Sequence, residues 1–122
     1  MTPIGIHHVS VNVSDPGASV RFYTEILGGQ VRDDRPDFGF GGAWIDLGGA
    51  QVHLIESPVP PNLGQHFAIL VGDLDGAVEE LRSRGLDVRD PVIVGPDRQT
   101  FVEDPDGNVI ELHQIGTQPA PT

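Results

Sequence analysis

From Ile6 to Val13 the chain alternates. Val9, Val11 and Val13 are apolar, and His8, Ser10 and Asn12 stand between them, the period of a half-buried strand. Ser14 or Asp15 is a natural helix N-cap, and Pro16 suits the first helical position. Ala18, Phe22, Tyr23, Ile26 and Leu27 then recur at helical spacing, and Gly28-Gly29 ends the helix. Val31 to Gly42 has no clear period and reads as a strand edge with a mobile loop carrying Arg32, Arg35, Phe38 and Phe40. Ala43 to Leu47 is a strand, Gly48-Gly49 a hairpin turn, and Gln51 to Glu56 the returning strand.

The Pro-rich segment Ser57 to Gly64 reads as a linker, and the pattern then starts again. His66 to Val71 alternates, Asp73 caps a helix whose Leu74, Ala77, Val78 and Leu81 form one apolar face, and Gly85 stops it. Strand candidates follow at Leu86–Arg89, Val92–Val94, Thr100–Glu103 and Asn108–Gln114, with Asp104-Pro105-Asp106-Gly107 as a turn. His8 maps to His66, Asp15 to Asp73 and Val20 to Val78, an offset of 58 residues each time. Two such units are too few for a solenoid, so they face each other across a pseudo-two-fold axis. The expected fold is α+β: two paired βαβββ modules, a curled mixed sheet, and helices on its convex side. Module one covers about residues 4–57 and module two about 64–115, within one domain spanning 1–116; residues 117–122 read as a disordered tail.

Side-chain parity carries the functional reading, because successive residues of a strand point to opposite faces. His8 lies opposite Val9, Val11 and Val13; His53 lies opposite Val52 and Leu54; His66 lies opposite Phe67, Ile69 and Val71; Glu111 lies opposite Ile110 and Leu112. The same 58-residue offset relates His53 to Glu111. A lone histidine at a strand end is ordinarily a surface or structural residue. Four candidates that share both parity and repeat offset are a ligand set, and three imidazoles with one carboxylate suit Zn, Ni, Co, Mn or Fe(II). His7 has the opposite parity to His8. His113 shares Glu111's face, but its repeat mate is Ile55, so it ranks below the four.

Composition narrows the chemistry. Net charge is −11 and all seven basic residues are arginine, a balance that disfavours nucleic acid and anionic membrane surfaces as partners. Without lysine there is no Schiff-base chemistry, and without cysteine there is no thiol nucleophile or thiolate site. No apolar run approaches membrane-helix length and no signal peptide is legible, so a cytoplasmic location is expected.

The strand-one His, the run DPGASVRFYTEILG, the second-half GQHFAILVGD and the terminal DPDGNVIEL together resemble the vicinal oxygen chelate superfamily, over about residues 4–115. That superfamily includes glyoxalases, epimerases, extradiol dioxygenases and bleomycin-resistance binding proteins. The resemblance implies paired modules around a divalent metal that acts as a Lewis acid on an oxygen-chelating carbonyl or hydroxy-acid substrate. It implies His8, His66 and Glu111 as shared ligands, with His53 where glyoxalase I has a glutamate. Glu111 or His53 would carry the proton. It also implies a homodimer, with ligands drawn from one chain or from two. A non-catalytic antibiotic- or metabolite-binding protein and an Fe(II) extradiol dioxygenase are the alternatives. Arg32, Arg35 and Arg98 are read as loop residues able to reach an anionic substrate, and Phe38, Phe40 and Trp44 as the lining of an apolar pocket.

Overall fold

The computed structural model describes residues 1–121. The chain divides within the Pro-rich segment into two compact units, Met1–Pro61 and the part from Asn62 on. Among the described residues no helix is long and apolar enough to cross a membrane.

In unit one, strand β1 (His8–Val13) runs parallel to β4 (Ala50–Glu56), with Val9 opposite Val52 and Val11 opposite Leu54. Strand β3 (Gly42–Leu47) is antiparallel to β4, and the short β2 (Gln30–Val31) pairs with β3, giving the order β1-β4-β3-β2. Gly48 and Gly49 form the two-residue turn between Leu47 and its partner Ala50, with Gly48 at φ +61°. Helix α1 (Pro16–Arg21) begins at Asp15, whose carboxylate accepts the Ala18 N–H at 3.2 Å, with Pro16 in the first turn.

The helical turn that follows, Phe22–Ile26, is a π-helix rather than a continuation of α1. The Thr24 hydroxyl donates to the Val20 carbonyl at 2.7 Å, and the Leu27 N–H reaches back five residues to the Phe22 carbonyl at 3.1 Å. A side-chain hydroxyl that takes the carbonyl four residues back competes with the regular ladder, and here the ladder widens by one residue. The chain then passes so close to β3 that a Cβ on Gly29 would stand 2.5 Å from Ile45 Cγ2 and 2.8 Å from the Tyr23 carbonyl oxygen. Val11, Val13, Phe22, Tyr23, Ile45, Val52 and Leu54 form the core of this unit.

Unit two repeats the plan. Strand β5 (His66–Leu70) is parallel to β8 (Val109–Gln114); β7 (Asp97–Glu103) is antiparallel to β8; and β6 (Val92–Val94) pairs with β7. The order is β5-β8-β7-β6. Helix α2 (Leu74–Ser83) is capped by Asp73, which accepts the Gly76 N–H at 3.0 Å, and it buries Leu74, Val78 and Leu81. It ends at Gly85 (φ +88°), with the Leu86 N–H on the Leu81 carbonyl and the Gly85 N–H on the Arg82 carbonyl, a Schellman closure. The two βαβββ modules of an α+β fold are therefore present, each with its own four-stranded mixed sheet.

One expected strand is absent. Leu86–Arg89 has no ladder, because side chains claim its carbonyls. Arg82 Nε donates to the Val88 carbonyl at 3.0 Å, and the Thr100 hydroxyl donates to the Arg89 carbonyl at 2.9 Å. The turn between β7 and β8 is built on the buried Asp104, which accepts the N–H groups of Asp106 and Asn108 at 2.9 Å each. Beyond Gly116 the chain is irregular, and Gln114 Nε2 donates to the Gln118 carbonyl at 2.8 Å; of the expected tail, Thr122 lies outside the described residues.

Candidate functional site

The four candidate ligands stand as two pairs, one in each unit. Each pair lies on adjoining parallel strands, and in each the histidine sits two residues before the direct cross-strand partner of its mate. In unit one His8 is opposite Gln51 while Ser10 is opposite His53. In unit two His66 is opposite Val109 while Ala68 is opposite Glu111. Among the described residues no three His, Asp or Glu side chains are grouped as a metal-ligand cluster.

In unit one the His8 and His53 rings are stacked, with centroids 3.8 Å apart and planes 12° apart. Trp44, directly opposite His53 across the β3–β4 hairpin, stacks on the other side of His53 at 4.6 Å. The row continues through Phe38, 6.2 Å from Trp44, to Phe40, stacked on Phe38 at 5.5 Å, and the Arg35 guanidinium lies over both phenyl rings at 5.0 and 5.6 Å. Gln51 Oε1 accepts from His53 Nε2 at 2.8 Å, so the lone pair of a neutral His53 is on Nδ1. Burial holds the His53 pKa below its ordinary value, and the neighbouring His8, His7, Arg32 and Arg35 push it the same way. His7, which parity sets apart from His8, shares a hydrogen bond with it between their Nδ1 atoms at 2.9 Å.

Unit two gives its histidine a different setting. His66 Nδ1 donates to the Gly64 carbonyl at 2.9 Å, which turns Nε2 toward Glu111 Oε1, 3.2 Å away. The Gly64 carbonyl, and after it Glu111, raise the His66 pKa. The other carboxylate oxygen, Oε2, faces His113 Nδ1 at 2.8 Å, and His113 Nε2 faces Asp97 Oδ2 at 2.7 Å. Asp97 Oδ1 accepts the Gly116 N–H at 2.9 Å. Asp97 and then Glu111 raise the His113 pKa, and the Gly116 N–H with His113 lowers that of Asp97. The Phe101 ring, opposite Glu111 across the β7–β8 hairpin, meets His66 edge-on at 5.4 Å.

The donor chemistry of both pairs fits a divalent ion. In unit two a neutral His66 points a lone pair at a carboxylate oxygen, and two acceptors so placed need a cation between them, a proton or a metal. Two of the arginines expected to reach an anionic substrate are committed elsewhere. Arg98 lies in β7 and makes two bonds of 2.9 Å to Asp75, and Arg32 is held by Asp34 and Asp46. Asp97 and Phe101 do not stand out in the sequence. Asp97 sits two residues before Gln99, the register partner of His113, so it becomes visible only once β7 and β8 are in register.

The sequence model of the Glyoxalase/Bleomycin resistance protein/Dioxygenase superfamily matches residues 5–112. The chain belongs to that superfamily. It is 33% identical to the uncharacterized protein YwkD of Bacillus subtilis (strain 168), over 89% of this chain and 95% of that one. It is 31% identical to the lactoylglutathione lyase GLX1 of Arabidopsis thaliana over 93% of this chain, which spans only 45% of the plant protein. Among solved structures, TnmS3, an antibiotic binding protein from Streptomyces sp. CB03234, superposes with a TM-score of 0.82 at 28% identity, over 95% of this chain and 99% of that one.

Proposed function

We propose that the chain is a metal-dependent, glyoxalase- or epimerase-like enzyme acting in the cytoplasm on a small oxygen-chelating carbonyl or hydroxy-acid substrate, a lyase or isomerase by reaction class. His8, His53, His66 and Glu111 hold one divalent ion, Zn, Ni, Co, Mn or Fe, in a domain spanning 1–116 that works as a homodimer. The observation that supports this most is the His66 Nε2 lone pair aimed at Glu111 Oε1, with a repeat-related donor pair in the other unit. When bound, the ion supplies Lewis-acid polarisation of the substrate oxygens and so acidifies the adjacent C–H. Moving the proton falls to the chain. His53 Nδ1 would suit that role only when it is not on the ion, since its other nitrogen is anchored on Gln51 and the ring has one lone pair; burial and its neighbours lower its basicity. Glu111 is the alternative carrier, and its carboxylate is the only one among the four ligands.

Metal content of protein purified without chelator, measured beside His8→Ala and Glu111→Gln, tests the ligand set. About one ion per chain in the parent and less in both variants is the expected result. Trp44 is the chain's only tryptophan and stacks on His53, so Co2+ should quench its emission with saturation at the same stoichiometry. No ion in the parent and no quenching would discard the enzyme reading.

The aromatic row from Trp44 to Phe40 favours a second reading, a non-catalytic antibiotic- or metabolite-binding protein, and TnmS3 is an antibiotic binding protein. Quenching of Trp44 by planar aromatic compounds in metal-free protein, with no turnover in the metal-loaded form, would establish that reading instead.

A further inference from the structure

Unit two holds two titratable side chains, His113 and Asp97, to which the proposed reaction assigns nothing. We infer that they are positioning residues for Glu111. They fasten Oε2 so that Oε1 alone is presented, beside His66 Nε2, to a divalent cation. This rests on the metal reading above.

The contacts form a continuous relay. Glu111 Oε2 is 2.8 Å from His113 Nδ1, and Asp97 Oδ2 is 2.7 Å from His113 Nε2. The ring of His113 thus bridges the two carboxyl groups, with Nδ1 on Glu111 and Nε2 on Asp97. Asp97 is itself fixed, because its second oxygen accepts the Gly116 N–H at 2.9 Å. The side chains are sheltered: Glu111 is 12% exposed, Asp97 16% and His113 26%. A carboxylate with one oxygen held by a ring N–H has one oxygen left for a metal and cannot rotate to offer both without breaking that bond. Unit one has no counterpart, since the repeat mate of His113 is Ile55. The tie is found in one unit, at the one carboxylate among the four candidates.

A purely structural ion pair would hold β8 to β7 without affecting metal binding, and that difference is measurable. Co2+ alone serves as the probe, with its d–d absorption reporting the number of bound ligand atoms. His113→Phe removes both ring nitrogens at similar shape, Asp97→Asn removes the outer charge, and His113→Gln keeps an amide N–H for Oε2. Loss of an outer-shell partner typically weakens metal affinity by about 10–100-fold. The expected result is a loss of that order in His113→Phe, a smaller loss in Asp97→Asn, partial rescue in His113→Gln, and an altered d–d spectrum in His113→Phe. Thermal melts of the metal-free proteins check folding; if His113→Phe does not fold, the other two variants decide. Parent-like affinity and spectrum in the folded variants would overturn the inference while leaving the metal reading intact. A parent protein that takes up no Co2+ would overturn both, and that result needs no variant.

Discussion

The two units share a backbone plan and differ in what surrounds the same strand positions. In each, a histidine on the first strand stands two residues before the cross-strand partner of its mate on the last strand. Around His53 the neighbours are Trp44, His8 and His7, and the imidazole loses basicity. Around His66 the neighbours are a carbonyl and a carboxylate, and the imidazole gains it. Duplication of a βαβββ module thus sets where donors stand. The residues around each imidazole set whether its basicity falls or rises.

The most severe challenge to this contrast is to remove the one feature that unit one lacks, the carboxylate. Glu111→Gln should abolish turnover while leaving the circular dichroism spectrum unchanged. Retained full activity would remove Glu111 from the chemistry and leave His53 as the only proton carrier among the candidates.

A large but purely structural difference lies in the two hairpin turns. Unit one uses Gly48-Gly49, with no side chain involved, whereas unit two hangs Asp106 and Asn108 on the buried carboxylate of Asp104. Asp104→Ala strands two backbone donors in a partly buried turn and should cost about 2–4 kcal/mol. Gly48→Ala only forces an L side chain into positive φ (+61°) and should cost about 1 kcal/mol. Urea denaturation of both variants measures this, and equal losses would show that the turns are equivalent after all.

The opposite basicities of the two units predict opposite responses to pH. His66 and His113 have folded-state values raised above the unfolded one. Their contribution to stability is complete below the unfolded value near 6.5 and is lost as pH rises through the folded value. His53 is lowered, so the unfolded chain takes up its proton first, and acidification through 6.5 toward the folded value costs stability. In the metal-free protein, nitrogen-detected NMR of the histidine rings should show His53 titrating at lower pH than His66 and His113. Coincident titration would dissolve the contrast.

Most of the fold was legible because its determinants are local. The alternation of Val9, Val11 and Val13, the Asp15 and Asp73 caps, the Gly48-Gly49 turn and the Gly85 stop each act within a few residues. The missing strand at Leu86–Arg89 shows where that fails. Leu86 and Val88 alternate as a strand should, but the side chains of Arg82 and Thr100, on a helix and on another strand, take the carbonyls a ladder would need. The π-turn has no periodic signature; its local correlate is one hydroxyl, that of Thr24, on the Val20 carbonyl. At the candidate site, parity picked the four residues, whereas their surroundings depend on register between strands. The contact of Trp44 with His53 follows from the two-residue turn, since Leu47 opposite Ala50 places 44 opposite 53. No such count reaches Asp97 from His113. Arg98, expected in a loop, lies in β7 and is held for the same kind of reason, because its partner Asp75 lies on a helix 23 positions earlier in the chain.

The smallest expected effect is the cleanest to read, because unit two already contains the variant. Ser19 in α1 is fully buried, and its hydroxyl has no hydrogen-bond partner among the described residues. Its repeat mate in α2 is Ala77, and both residues place their backbone N–H on the carbonyl of the capping aspartate at 3.0 Å. Burial of an unpaired hydroxyl costs free energy that an alanine does not, and alanine is also the better helix former. Ser19→Ala should therefore be neutral or stabilising by up to about 1 kcal/mol in urea denaturation. A clear loss of stability would mean that the Ser19 hydroxyl is satisfied in solution, and that the two helices pack on their sheets by different rules.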